Sequence, residues 1–198
     1  ERIQSVKEFR LSSKAKEIHK FAETPTLFAQ QTQPVGEPFV IVPIVSSSRR
    51  RYIPMGYVDG DTIVNNRVFL IPNADLFMFG ILNSNIHNSW MRKVAVRLKD
   101  DYSYSKDLVY NTFPIPELTE DHKKNISATA QAILDARKLY PTESLADLYD
   151  PLTMPQELKR AHMLNDKAVM QAYGFSIKDT SESVCVENLM KMYEQLTK

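Results

Sequence analysis

The chain has 198 residues, 43% of them apolar, enough to bury a substantial core, and a formal net charge of only +1. Its one cysteine, Cys185, excludes an intramolecular disulfide framework and a cysteine-built zinc cage, so a reducing, cytoplasmic setting is expected. No apolar run approaches the roughly 18 residues of a membrane helix, and no membrane partner is expected. In chain order, residues 3–22 carry Ile3, Val6, Ile18 and Phe21 among Lys and Glu and predict a surface helix that Pro25 stops. From Phe39 the texture changes to short β-branched and aromatic runs, FVIVPIV, RYIPMGYV, DTIV and RVFLIP, separated by Ser46–Ser48, Asp59–Asp61 and Asn65–Asn66. Pro43, Pro54 and Pro72 cannot donate to a ladder, which predicts a small, irregular mixed sheet. Asn73 or Asp75 then caps a helix over LFMFGILNSNIHNSW, buried at its start; KVAVRL is a further strand and KDDYSYSKDLVYNTFPIPE a loop.

After Pro116 the pattern is helical. Thr119 caps a helix with Ile126, Ala130, Ile133, Leu134 and Tyr140 on one face, ended by Pro141, and Ser144 to Tyr149 forms a short turn. Pro155 opens a helix with Leu158, Ala161, Ala168, Val169 and Ala172, stopped at Gly174, and Val186, Leu189, Met190, Tyr193 and Leu196 mark the last. The expectation is an α+β fold: a mixed-sheet domain with a buried helix over residues 1–117, and an all-helical domain over 118–198. The chain starts at Glu1 directly in a charged helical pattern, as expected of a piece of a longer polypeptide.

The charge is uneven. Residues 1–117 carry 15 Lys+Arg against 12 Asp+Glu, and residues 118–198 carry 10 against 12, so the sheet-rich part is the basic one. Its most concentrated cluster is Ser46, Ser47, Ser48, Arg49, Arg50 and Arg51, at a turn between two strands. Guanidinium forks suit phosphates or the O6 and N7 of guanine, and serine hydroxyls suit either; the alternative is a solvated basic turn. A second candidate is Lys99, Asp100, Asp101, Tyr102, Ser103 and Tyr104. There a carboxylate can accept from cytosine N4 or merely cap a turn, and tyrosines spaced by two can donate to phosphate or bury one face of a strand. Asn65, Asn66 and Arg67 form a third at a hairpin-like turn. Arg92, Lys93 and Arg97 extend the positive surface with phosphate contacts.

Four stretches, VPIVSSSRRRYIPMGYV (42–58), FGILNSNIHNSWMRKVAVRLKDDYSYS (79–105), VYNTFPIPE (109–117) and SLADLYDPLTMPQELKRAHMLNDKAVMQAYGF (144–175), resemble in order and spacing the C-terminal region of MmeI-like adenine-N6 DNA methyltransferases, the type IIG restriction-modification proteins. The resemblance implies a target-recognition domain in the first three stretches and a helical tail in the fourth, with double-stranded DNA and the upstream methyltransferase domain of the same chain as partners. It also implies S-adenosylmethionine as cofactor of the parent protein. Many relatives carry an acidic residue where this chain has Ser48.

Adenine-N6 methylation needs a glycine-rich turn and an Asn/Asp-Pro-Pro-aromatic loop. The five glycines, at 36, 56, 60, 80 and 174, form no G-x-G and no two of the eleven prolines are adjacent, so no catalytic residue and no cofactor site are expected within this chain. Asp150, Glu157 and Lys159 distantly resemble a nuclease triad but suit the first turn of a helix better. His19, His87, His122 and His162 lack ligand spacing, so no metal is expected, and Cys185 and Trp90 read as core. The competing function is a helical protein–protein interaction domain built on the acidic tail.

Overall fold

The computed structural model describes residues 1–29, 34 and 36–198 and divides into two compact units, Glu1–Gln33 and Pro34–Lys198. In the first, α1 (Arg2–Leu11) is followed by a 3-10 helix (Lys16–Glu23), where the sequence pattern predicted one helix. The break falls at Ser12 and Ser13, where Ser13 Oγ accepts from Ala15 N and so competes with the helix ladder. Arg10 holds the bend, donating to the carbonyls of Phe21, Thr24 and Leu27 at 2.5, 2.9 and 2.7 Å.

The second unit contains β1 (Phe39–Pro43), β2 (Val45–Ser46), β3 (Gly56–Val58), β4 (Val68–Ile71), β5 (Val96–Leu98) and β6 (Asp101–Ser103). They form two three-stranded sheets, β3-β1-β4 and β2-β6-β5, with every pairing antiparallel, where the pattern suggested one mixed sheet. The chain crosses between them at Ile44, whose N–H donates to Arg67 O and whose carbonyl accepts from Tyr104 N. Two expectations change. DTIV forms no strand, whereas the stretch read as a loop supplies β6, which is paired on both sides. A short strand exists only where a neighbour takes its amides, and local sequence does not name that neighbour.

The helix predicted over residues 76–90 is two: α2 (Leu76–Leu82), capped by Asp75, and α3 (Asn85–Val94), capped by Ser84. A π turn (Lys106–Tyr110) follows, then α4 (Glu120–Lys138) capped by Thr119, α5 (Leu145–Leu148) capped by Ser144, α6 (Gln156–Ala172) starting after Pro155, and α7 (Glu182–Leu196) capped by Ser181. Gly174, at φ +70°, ends the α6 region as expected.

The core runs across residue 117. Phe79, Ile81, Leu82, Ile86 and Trp90 of the sheet-rich part are buried with Ile126, Ile133, Leu158 and Leu189 of the helical part. Gly80 allows the close approach: a Cβ there would lie 2.7 Å from Ile126 Cγ2 and 3.1 Å from Ala130 Cβ. Its carbonyl accepts from Asn165 Nδ2 at 2.8 Å, tying α2 to α6. At about 25 cal/mol per Å² of apolar surface, this shared interior supplies the main drive for the second unit to fold as one body.

Candidate nucleic-acid interface

Residues 47–53, in the connection from β2 to β3, contain the three consecutive arginines. Side chains from elsewhere in the fold hold the backbone of this loop. Asp101 Oδ1 accepts from Ser48 N at 3.1 Å, Asn88 Oδ1 accepts from Ile53 N at 2.9 Å, and Arg92 Nη1 donates to Arg51 O at 3.1 Å. With both ends of the loop satisfied in this way and Tyr52 and Ile53 buried, the side chains turned toward the surface are those of Ser48 and the three arginines. They line a cleft of about 480 Å³ between the loop, α3 and the start of α7, together with Ser89, Arg92 and Glu182.

The arginines differ in how far they are committed. Each guanidinium nitrogen of Arg92 is engaged, Nε and Nη2 in a bidentate pair with Glu182 at 2.6 and 3.1 Å and Nη1 with Arg51 O. Arg50 Nη2 donates to Ala146 O at 3.2 Å. Arg51 lies 3.6 Å from Asp166 and 5.3 Å from the centre of the Tyr52 ring. The guanidinium of Arg49 has no hydrogen-bond or ion-pair partner among the described residues.

Beneath the loop is a buried polar network. Tyr52 Oη donates to Asp166 Oδ2 at 2.6 Å, and Asn85 N donates to Asp166 Oδ1 at 2.7 Å. The Tyr52 ring stacks on His162 at 4.1 Å, and His162 Nε2 meets Tyr149 Oη at 2.6 Å. Arg137 donates to Tyr149 Oη and, at 2.8 Å, to Met55 O. Burial pushes the Tyr52 hydroxyl up, reinforced by the adjacent Asp166, so Tyr52 stays a donor. Burial also raises Asp166, opposed by the hydrogen bonds from Tyr52 and Asn85 and by the Arg51 charge. Burial, with the positive charges of Arg137 and Arg51, holds His162 well below the usual imidazole range, so it is neutral.

Several of the expected contact residues make contacts within the chain. Tyr104 is 4% exposed and its hydroxyl bonds His87 Nε2 at 3.0 Å; Tyr102 and Ser46 are also buried. Arg97 donates to Asp100 O at 2.8 Å and to Tyr102 Oη at 2.9 Å, with its guanidinium 3.8 Å from the Tyr102 ring centre. Asp101, read as either a base reader or a turn cap, accepts from Ser48 N through Oδ1. The physical reason is shared: in β6, Tyr102 belongs to the inward face, and Arg97 is its cross-strand partner. Lys93, Lys99, Asp100, Asn65, Asn66 and Arg67 remain exposed, Ser103 half-exposed, and Ser47 and Ser48 stay at the edge of the loop. Asn65 Oδ1 accepts from Arg67 N at 2.9 Å, making the turn that its sequence suggested.

Four residues that hold the site were not singled out from sequence: Asn85, Asn88, Asp166 and Glu182. The buried polar run NSNIHNS in a helix was a signal for the first two, since a buried amide requires a partner. Nothing local pointed to Asp166, whose partner Tyr52 lies 114 residues away. Glu157 accepts from Tyr140 Oη at 2.8 Å on the surface, an ordinary helix-start contact. Among the described residues, no three or more His, Cys, Asp or Glu side chains are grouped to hold a metal ion.

Residues 1–117 match the family described as MmeI, target recognition domain, and residues 118–198 match MmeI, C-terminal domain. The chain is 43% identical over 197 residues to DNA methyltransferase A of Bacillus subtilis (strain 168), covering all of itself but 22% of that protein. A solved structure of the type IIL restriction-modification enzyme MmeI in complex with DNA shares 46% identity and a TM-score of 0.87, covering 98% of this chain and 26% of that one. The chain therefore spans about a quarter of the length of the relatives it matches, and it belongs to the MmeI family, corresponding to its target recognition and C-terminal domains.

Proposed function

We propose that this chain is the sequence-specific, double-stranded DNA recognition module of a longer restriction-modification protein that methylates adenine N6. The observation that carries this reading is the arginine loop: its backbone is tethered from outside at Ser48, Arg51 and Ile53, while Arg49 is left without a partner among the described residues. A rigid backbone presenting uncommitted guanidinium forks is what reading guanine edges or phosphates requires. Ser47, Ser48, Arg50, Arg51, Asn65, Asn66, Arg67, Lys93 and Lys99 are the further contacts in this reading, some to phosphate only. The solved MmeI relative is a DNA complex, which supports the same assignment.

In this reading S-adenosylmethionine belongs to another part of the longer protein. Gly80 admits Ile126 at a helix contact, and Gly174 turns the chain after α6. The reading of α7 as a docking face for another subunit has less support, because α7 spends Cys185 and Leu189 on the core and Tyr193 against Trp90. No helix among the described residues is long and apolar enough to cross a membrane, and a cytoplasmic location fits a DNA substrate.

Duplex binding measured against salt tests the reading. The full-length protein is expected to lose affinity steeply as salt rises, and the Arg49→Ala, Arg50→Ala double variant to lose both affinity and slope. Wild-type binding and methylation by the double variant at physiological salt would remove the loop from the interface.

A further inference from the structure

A carboxylate sits in an unexpected place. Asp166 of α6 lies at the floor of the arginine loop, its side chain 8% exposed, where a negative charge facing a polyanion weakens binding. Both of its oxygens are engaged: Oδ2 accepts from Tyr52 Oη at 2.6 Å and Oδ1 from Asn85 N at 2.7 Å. Tyr52, fixed in this way and stacked on His162, offers its ring to the Arg51 guanidinium at 5.3 Å.

The Asp166–Arg51 contact differs in kind from the other ion pair in the cleft. Arg92 and Glu182 meet at 2.6 and 3.1 Å in two hydrogen bonds, and Arg92 Nη1 donates to Arg51 O, so every nitrogen of that guanidinium is engaged. Arg51 stands 3.6 Å from Asp166, beyond hydrogen-bond distance, with its side chain 67% exposed. Such a contact directs a guanidinium by charge and leaves its donors free. We propose that Asp166 is a positioning residue for duplex recognition: through Tyr52 and by direct attraction, the helical tail aims the fork of Arg51 at the DNA. This rests on the DNA-recognition reading above, and it gives the C-terminal region a part in specificity.

The test uses the full-length protein and two probes, a randomised duplex pool and the duplex that the wild type enriches from it. Asp166→Asn keeps the shape of the side chain and an acceptor for Asn85 N while removing the charge. If the carboxylate merely repelled DNA, this variant would bind both probes more tightly. Positioning predicts that pool affinity holds or rises while affinity for the enriched duplex falls about tenfold, the size of one good base contact. In an Arg51→Ala background Asp166→Asn should then cost nothing further, because the two residues act as one unit. Tyr52→Phe, which keeps the ring, should lower the same ratio, and it serves as the test if Asp166→Asn does not fold.

An unchanged ratio between the probes, or an equal loss in the Arg51→Ala background, overturns the proposal while leaving DNA recognition intact. A wild type that enriches no duplex overturns both.

Discussion

The loop of residues 47–53, with three arginines and no acid, and the hairpin of residues 96–104, where Asp100 and Asp101 balance Arg97 and Lys99, are both polar and aromatic in sequence, yet the fold uses them in opposite ways. The loop is held by side chains that come to it, from Asp101, Asn88 and Arg92, so its own arginines are spared. The hairpin is held by its own side chains: Arg97 bonds Asp100 O and Tyr102, and Tyr104 bonds His87. A polar residue is available to a ligand only when something else meets the hydrogen-bond demands of its own backbone and neighbours. That contrast can be tested from both ends.

The largest effect is expected from acid. Burial lowers the His87 pKa to about 3, against about 6.5 when unfolded, so the folded hairpin anchor requires neutral imidazole. A depressed histidine contributes stability that is complete above pH 6.5 and is lost as pH falls toward 3, by about 1.4 kcal/mol for each unit between the two values. Urea unfolding between pH 7 and 4 should show this loss, and His87→Gln should flatten the slope.

On the loop side, Asn88→Ala removes the acceptor for Ile53 N and the donor to Ser84 O, both buried. It should destabilise by about 2 to 4 kcal/mol, read as a lowered denaturant midpoint, and weaken duplex binding. A stable Asn88→Ala protein with full affinity would show that the loop needs no external tether.

The third pair of variants addresses the contrast directly. Arg49→Ala should leave the melting temperature unchanged and reduce the slope of log affinity against log salt by about 1, the signature of one lost phosphate contact. Arg97→Ala should do the reverse, costing about 0.5 to 1.5 kcal/mol of stability with no change in slope. An exchange of these outcomes would reverse the roles of loop and hairpin.

The smallest effect lies at the hairpin tip. Lys99 adopts φ +56°, which costs a non-glycine residue about 1–2 kcal/mol. Lys99→Gly relieves that and adds about 0.5–1 kcal/mol of backbone entropy cost, for a net gain of about 0.5 kcal/mol in thermal unfolding. DNA affinity should drop only slightly, by the loss of one exposed charge.

By itself the sequence determined the long helices after residue 117 and several helix ends, because periodicity and capping are local. Thr119 and Gly174 mark helix ends whatever the rest of the chain does. It also determined the α+β class, the arginine loop as a feature and the burial of Trp90. Tertiary structure alone decided which strands exist, since β6 is paired on both sides while DTIV forms no strand, and where one apolar helix breaks at Ser84. It alone separated Arg49 from Arg97, and it brought Asp166 beneath Tyr52 across 114 residues. The physical reason is that a polar side chain carries no mark of its partner. Its freedom depends on long-range neighbours, and these are set only when the core shared by the sheets and helices closes.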